Sequence, residues 1–165
     1  MNFLTVTLTG LHERESFCCG NAQLDIYFQK QAKQDIKRKL SVCFVLPDGN
    51  KVKGYYTLSS ASVIRAQLPE DLIKKLPPSY TDLPVILLGR LAVSQEYQGQ
   101  GLGETILMDA LSRSYQVSLQ IGSMAVVVDP IDQAAIKFYE KYGFIQLPDS
   151  GKMFLPMATI AQLHG

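Results

Sequence analysis

Residues 95–107 read QEYQGQGLGETIL, with glycines at 99, 101 and 103 and then, at once, apolar residues at helical spacing. The run before it, PVILLGRLAV at 84–93, is almost wholly apolar. A buried strand, a glycine turn and a helix start in that order aim successive backbone N–H groups outward at the positive end of a helix. Such a turn binds phosphate or pyrophosphate. On the glycines alone, a turn that only redirects the chain is the other reading. Two nucleotide patterns are excluded. G-x-x-x-x-G-K-[ST] is absent, and a dinucleotide fingerprint needs glycine where Glu104 stands.

Outward from this stretch, the strand 85–93 and a helix from Gly101 to Ile121 are followed by SMAVVVD at 123–129, apolar enough for a strand buried on both faces. DQAAIKFYEKYGF at 132–144 predicts a helix that stops at Gly143, and MFLPM at 153–157 a last strand. Upstream, Leu4, Val6 and Leu8 alternate with Asn2, Thr5, Thr7 and Thr9 as in a strand. Residues 19–40 predict a helix capped by Asn21, with Leu24, Tyr27, Phe28, Ala32 and Ile36 facing the core. SVCFVL, the turn PDGN and KVKGYYTLSSASV make a hairpin, PEDLIKKL a short helix, and PPSYTDLP a loop. The order predicts an α/β fold with a mixed central sheet, antiparallel in its N-terminal part and with parallel pairing later.

The 165 residues suit one domain, 1–165. No apolar run approaches the ~20 residues that cross a bilayer, and the first residues lack the pattern of a signal peptide. Cys18, Cys19 and Cys43 are odd in number and form no C-x-x-C pair, while His12 and His164 lie near the two ends. Neither zinc nor a disulfide framework is expected, and a reducing, cytoplasmic setting fits best. A net charge of +1 neither demands nor excludes a nucleic acid.

Gln98-x-x-Gly101-x-Gly103 directly after a strand, with AAIKFYEKYGF one strand later, resembles the GNAT superfamily of N-acetyltransferases over about residues 40–157. The resemblance implies a GNAT fold with helices on both sheet faces and no metal. It also implies that Gln98, Gly99, Gln100, Gly101, Leu102, Gly103 and Glu104 hold the pyrophosphate of acetyl-CoA. By the same resemblance the strand end at Leu91, Ala92 and Val93 pairs with the pantetheine amides, and Tyr139 protonates the departing sulfur, with Tyr142 the rival. Asp132 departs from the asparagine usual in the family. Beyond that, FCCGNAQLDIYFQKQAKQDIKRKLSVCFVL, GYYTLSSASV, LLGRLAV and FLPMATI resemble the GNAT toxins of bacterial toxin–antitoxin modules. That implies aminoacyl-tRNA as substrate, a ribbon-helix-helix antitoxin as partner, and a homodimer.

The chemistry can also be weighed directly. A lysine amine, with a pKa of about 10.4, needs a base before it can attack; an α-amino group, at about 7.7–8.0, is partly neutral already. Residues 84–93 hold no carboxylate but do hold Arg90, which favours an α-amino acceptor, although Glu96 or Asp129 could act through water. Arg90 either packs its stem on the sheet or faces a substrate phosphate. The run KQAKQDIKRK puts Lys30, Lys33 and Lys37 on one helical face near Arg38 and Lys39. It is either a solvated face or, through Lys33, Lys37 and Arg38, a contact for the tRNA backbone. Lys51, Lys53, Lys74 and Lys75 are further cations that such a surface could use. A housekeeping acetylase acting on a small amine or a protein N-terminus is the alternative enzyme, and a non-catalytic acyl-CoA-binding module the alternative without chemistry.

Overall fold

The computed structural model describes residues 3–164. In chain order these form β1 (Val6–Thr7), α1 (Ala22–Ile26), a wide π-helical turn (Tyr27–Gln31), α2 (Ala32–Lys37), β2 (Val42–Asp48) and β3 (Lys51–Ile64). They continue with α3 (Glu70–Ile73), β4 (Asp82–Val93), α4 (Leu102–Ser118), β5 (Ala125–Val128), α5 (Gln133–Lys141), β6 (Ile145–Gln146), β7 (Met153–Pro156) and α6 (Met157–His164). The strand order is β1-β2-β3-β4-β5-β7-β6. β1–β2 and β2–β3 are antiparallel, β4–β5 is parallel, and β7 runs antiparallel to both β5 and β6. The mixed sheet is therefore as predicted, with parallel pairing confined to β4–β5.

Two compact units divide the chain. One takes Leu88–Arg113 with the chain up to Ser59, the other Ser60–Leu87 with the chain from Ser114 on. In the first, Phe17, Tyr27, Phe28, Ala32, Cys43, Val45, Tyr55 and Ala92 share one buried cluster. Phe28 stacks on Tyr55 at 4.5 Å, and Phe17 meets both rings edge-on or tilted. The expected helical stripe is borne out: Tyr27, Phe28 and Ala32 are buried, and Leu24 and Ile36 pack against them. Gly54, in β3, has a reason to lack a side chain. A Cβ there would lie 2.8 Å from the Ala92 carbonyl oxygen and 3.3 Å from Ile106 Cδ1. Because backbone cannot yield cheaply, Gly54→Ala is expected to cost about 1–3 kcal/mol, read as a lower denaturant midpoint.

In the second unit Val63, Leu68, Leu83, Val85, Ala125, Val127, Leu147 and Phe154 form the core. All four residues of β5 are buried, which accounts for its unbroken apolar sequence. Gly143 ends α5 with φ at +95°, a conformation that glycine adopts without strain.

Several sequence expectations change. The first strand shrinks to Val6–Thr7 and its alternation breaks at the start: Leu4 and Val6 are exposed and Thr5 is buried, while Leu8 is buried and Thr7 and Thr9 are exposed as expected. The cause is a buried carboxylate. Asp109 on α4 accepts from the Leu4 amide, the Thr5 hydroxyl and the Tyr56 hydroxyl, while Arg113 donates to the Thr5 carbonyl and Tyr56. Hydrogen-bonding a buried charge outweighs hiding two aliphatic side chains. Asn2, counted in that alternation, lies outside the described residues. The predicted helix 19–40 becomes α1, the wide turn and α2. Lys33 and Lys37 stay one turn apart in α2, and Lys30 falls in the wide turn before it; all three are exposed. The predicted loop 77–84 is shortened because β4 begins at Asp82. Met157, assigned to the last strand, opens α6 instead.

Candidate functional site

In the first unit β4 runs into the glycine turn. Its ladder with β5 covers only Ile86 and Leu87, so the strand continues to Val93 with that edge unpaired. Backbone groups alternate in direction along a strand. The Ala92 carbonyl faces Gly54 and the Ser94 amide donates to Lys53, so Leu91 and Val93 point their backbone groups the other way. Of the three residues expected to meet an extended amide ligand, Leu91 presents its backbone to that edge, Val93 does so with its carbonyl already taken by Gln98, and Ala92 does not.

Past β4, Gln95–Tyr97 makes one 3₁₀ turn, then Gly99 and Gly101 adopt φ of +83° and +75°. These left-handed conformations fall on Gly99 and Gly101; Gly103 sits in the first turn of α4. Thr105 is the first residue whose N–H finds an acceptor behind it, the Gly101 carbonyl at 3.2 Å. The amides of Leu102, Gly103 and Glu104 are left to point out of the helix start, beside the half-positive end of a 17-residue helix. No Cβ at Gly99 or Gly101 would meet any atom within 4 Å, so the space beside both glycines is open. The exposed Gln98 side chain makes two hydrogen bonds through Nε2, to the Cys19 and Val93 carbonyls, each at 2.9 Å.

Arg90, on β4, lays its guanidinium over the Tyr27 ring at 3.4 Å from the centroid. No hydrogen bond or ion pair among the described residues holds it, so the stacking fixes its plane and leaves its N–H edge for an acceptor. Tyr27 in turn donates to the buried Asp35 at 2.7 Å. Burial, with that carboxylate second, pushes the Tyr27 phenol up to about 12, so it stays a donor at any physiological pH. Lys33, Lys37 and Arg38 are all exposed and unpaired among the described residues. Glu96, one of the two candidate relay bases, lies 3.9 Å from the Lys51 ammonium.

In the second unit Tyr139 stands on α5, 8% exposed, its ring edge-on to Phe138 and Phe144. Its hydroxyl bonds to no described residue, yet it is not among the polar atoms sealed from solvent. Burial raises its pKa above the ordinary phenol value. The group is therefore a protonated, unpartnered donor. Tyr142 is different: it caps α5, lies half-buried against Phe138 and beneath the Lys141 ammonium, and packs as the sequence suggested. Asp132, in place of the family's asparagine, is the N-cap of α5 and accepts from the Ala135 amide at 2.8 Å. The other relay base, Asp129, is gripped by Lys152 at 2.8 and 3.1 Å. Among the described residues no cluster of His, Cys, Asp or Glu could hold a metal ion.

Residues 8–144 match the family model described as "Acetyltransferase (GNAT) family". The chain belongs to the GNAT family. This GNAT chain is 33% identical over 164 residues to a probable toxin TacT of Sinorhizobium fredii, covering 93% of the chain and 90% of the relative. It is 38% identical over 129 residues to a tRNA-acetylating toxin of Mycobacterium tuberculosis, covering 78% and 76%. Among solved structures, AtaT complexed with acetyl-methionyl-tRNAfMet superposes with a TM-score of 0.90 at 28% identity, covering 99% of this chain and all of that one. An acetyl-CoA complex of AtaTR gives 0.86 at 28% identity, covering 98% and 97%. The AtaT–AtaR complex on DNA gives 0.80 at 25% identity, covering 98% and 99%. The anion reading of the glycine turn and the acetyltransferase assignment agree.

Two groups of residues escaped the sequence. The Cys18–Gly20 loop, which touches the glycine turn, carries only an unremarkable Gly20 as a signal. The Thr5–Asp109–Arg113 network joins residues more than a hundred positions apart, which no local pattern reveals.

Proposed function

We propose that this chain is an acetyl-CoA-dependent N-acetyltransferase that acetylates the α-amino group of aminoacyl-tRNA and so stops translation. The observation that carries the cofactor half is the row of outward amides from the glycine turn into α4, which offers a pyrophosphate several donors and a helix dipole at once. The acceptor half is supported by the relatives and by the absence of a carboxylate base on the inner stretch of β4. The amine nitrogen attacks the thioester carbonyl, the C–S bond breaks, the sulfur takes a proton from Tyr139, and the ammonium proton leaves to water. The same reading makes the chain a cytoplasmic toxin, working as a homodimer and neutralised by a ribbon-helix-helix antitoxin. Consistent with this, no described helix is long and apolar enough to cross a membrane.

The test is incubation with labelled acetyl-CoA and either charged tRNA or a panel of free amines. Label should follow charged tRNA. Transfer to free amines or peptide N-termini alone would establish the housekeeping alternative. Within the same assay, Lys33, Lys37 and Arg38 changed together to Ala should raise the apparent KM for tRNA and flatten its salt dependence, with acetyl-CoA affinity unchanged. Unaltered tRNA kinetics at several salt concentrations would reduce these cations to a solvated face.

A further inference from the structure

Gln98 opens the glycine turn, and the geometry of its side chain conflicts with a direct hold on an anion. A glutamine amide nitrogen has two protons. Both are used, one on the Cys19 carbonyl and one on the Val93 carbonyl, each at 2.9 Å. Both partners are acceptors only, so the nitrogen and not the oxygen must face them. What remains of the amide is an oxygen, which repels phosphate. Gln98 therefore ties the turn to two places: the end of β4 and the loop before α1.

That loop meets the turn repeatedly. The Gln95 amide donates to the Cys18 carbonyl at 2.8 Å, and the Cys18 thiol reaches Gln95 Oε1 at 3.6 Å. Gly20, with φ at +97°, lies so close that a Cβ would come within 2.9 Å of Gln95 Nε2. The loop is anchored from behind: the Cys19 amide donates to Asp25 Oδ1 at 2.8 Å, and Asp25 sits in the first turn of α1. A chain of three contacts thus runs from Asp25 through Cys19 to Gln98 and Val93.

We propose that Asp25, the Cys18–Gly20 loop and Gln98 form a brace that positions the acetyl-CoA turn, and that Gln98 serves as a positioning residue and not as a ligand of the pyrophosphate. The inference rests on the acetyl-CoA reading above. Because α1 continues into the exposed cations of α2, the brace also joins the helix assigned to tRNA with the turn assigned to the cofactor.

The test is a double-mutant cycle read as acetyl-CoA Kd by calorimetry, with turnover of acetyl-pantetheine, which lacks the pyrophosphate, as the second readout. Gln98→Met, which keeps the stem but donates nothing, should raise Kd about tenfold, and Asp25→Ala about threefold. If both act through one brace, the double variant should stay near tenfold. Asp25→Asn keeps an acceptor for the Cys19 amide and should restore wild-type affinity, and Asp25→Ala should turn over acetyl-pantetheine at the wild-type rate. Multiplying effects in the double variant, or an Asp25→Ala Kd equal to wild type, would show Gln98 acting alone and overturn the brace. Equal losses with acetyl-CoA and acetyl-pantetheine would mean general damage and overturn it too. A wild-type protein that fails to bind acetyl-CoA would instead sink the functional reading, a separate and recognisable result.

Discussion

Tyr139→Phe is expected to lower the rate of acetyl transfer by about 10²–10⁴-fold while acetyl-CoA still binds. The ring makes edge-on contacts with Phe138 and Phe144, which phenylalanine reproduces, and the hydroxyl bonds to no described residue, so folding loses almost nothing. Only a donor disappears. Tyr142→Phe is the internal control and should remain largely active. A dead Tyr142→Phe beside an active Tyr139→Phe would reverse the assignment, and two active variants would leave sulfur protonation to water or another group. The pH profile follows from the raised phenol pKa: deprotonation of Tyr139 removes activity only above the ordinary phenol range, near 10. Any rise in rate between about pH 7 and 8 then belongs to the acceptor, whose α-amino group loses its proton there. A falling limb below pH 9 would contradict this role for the phenol.

Gly101→Val is expected to raise the acetyl-CoA Kd by well over tenfold. A β-branched residue at φ of +75° is a severe outlier, so the turn that presents the amides must rearrange, although a Cβ there would meet no atom within 4 Å. Strain and the loss of this turn can be separated with Gly49, which has φ of +62° and nothing within 4 Å of its would-be Cβ, but sits in the β2–β3 hairpin. Gly49→Val should lose comparable stability and keep its affinity for acetyl-CoA. Calorimetry on a folded Gly101→Val protein that shows unchanged affinity would remove the turn from the binding site.

The parts of the fold legible in the sequence were those whose reason is local. The strand-turn-helix around Gly99–Gly103 and the apolar β5 each carry their cause within a few residues. So do the hairpin at Pro47–Asn50 and the stop at Gly143. Elements decided by distant partners were misread. Thr5 is buried because Asp109 is there, and period-two reasoning has no access to a carboxylate on another helix. Family resemblance assigned Gln98 to the cofactor by its position in a motif, which carries no information on how its side chain is turned. Its orientation depends on the Cys19 carbonyl, 79 residues away. The helical pattern placed Tyr139 on a helix and resemblance gave its role, but only its surroundings show that the phenol is unpartnered and that burial raises its pKa further.

The wide turn at Tyr27–Gln31 bears on how this helix can change length. At about 100° per residue, an unbroken α-helix would spread Tyr27, Phe28, Ala32 and Ile36 over half of its circumference. The wider turn takes up one residue's worth of rotation and brings Ala32 and Ile36 back over Tyr27 and Phe28. The surplus residue is thus accommodated in the backbone and not in the packing. Deleting one residue within Gln29–Gln31 is therefore expected to convert the wide turn into ordinary α-helix and keep the buried seam, whereas the same deletion in α2 would carry Ile36 out of it.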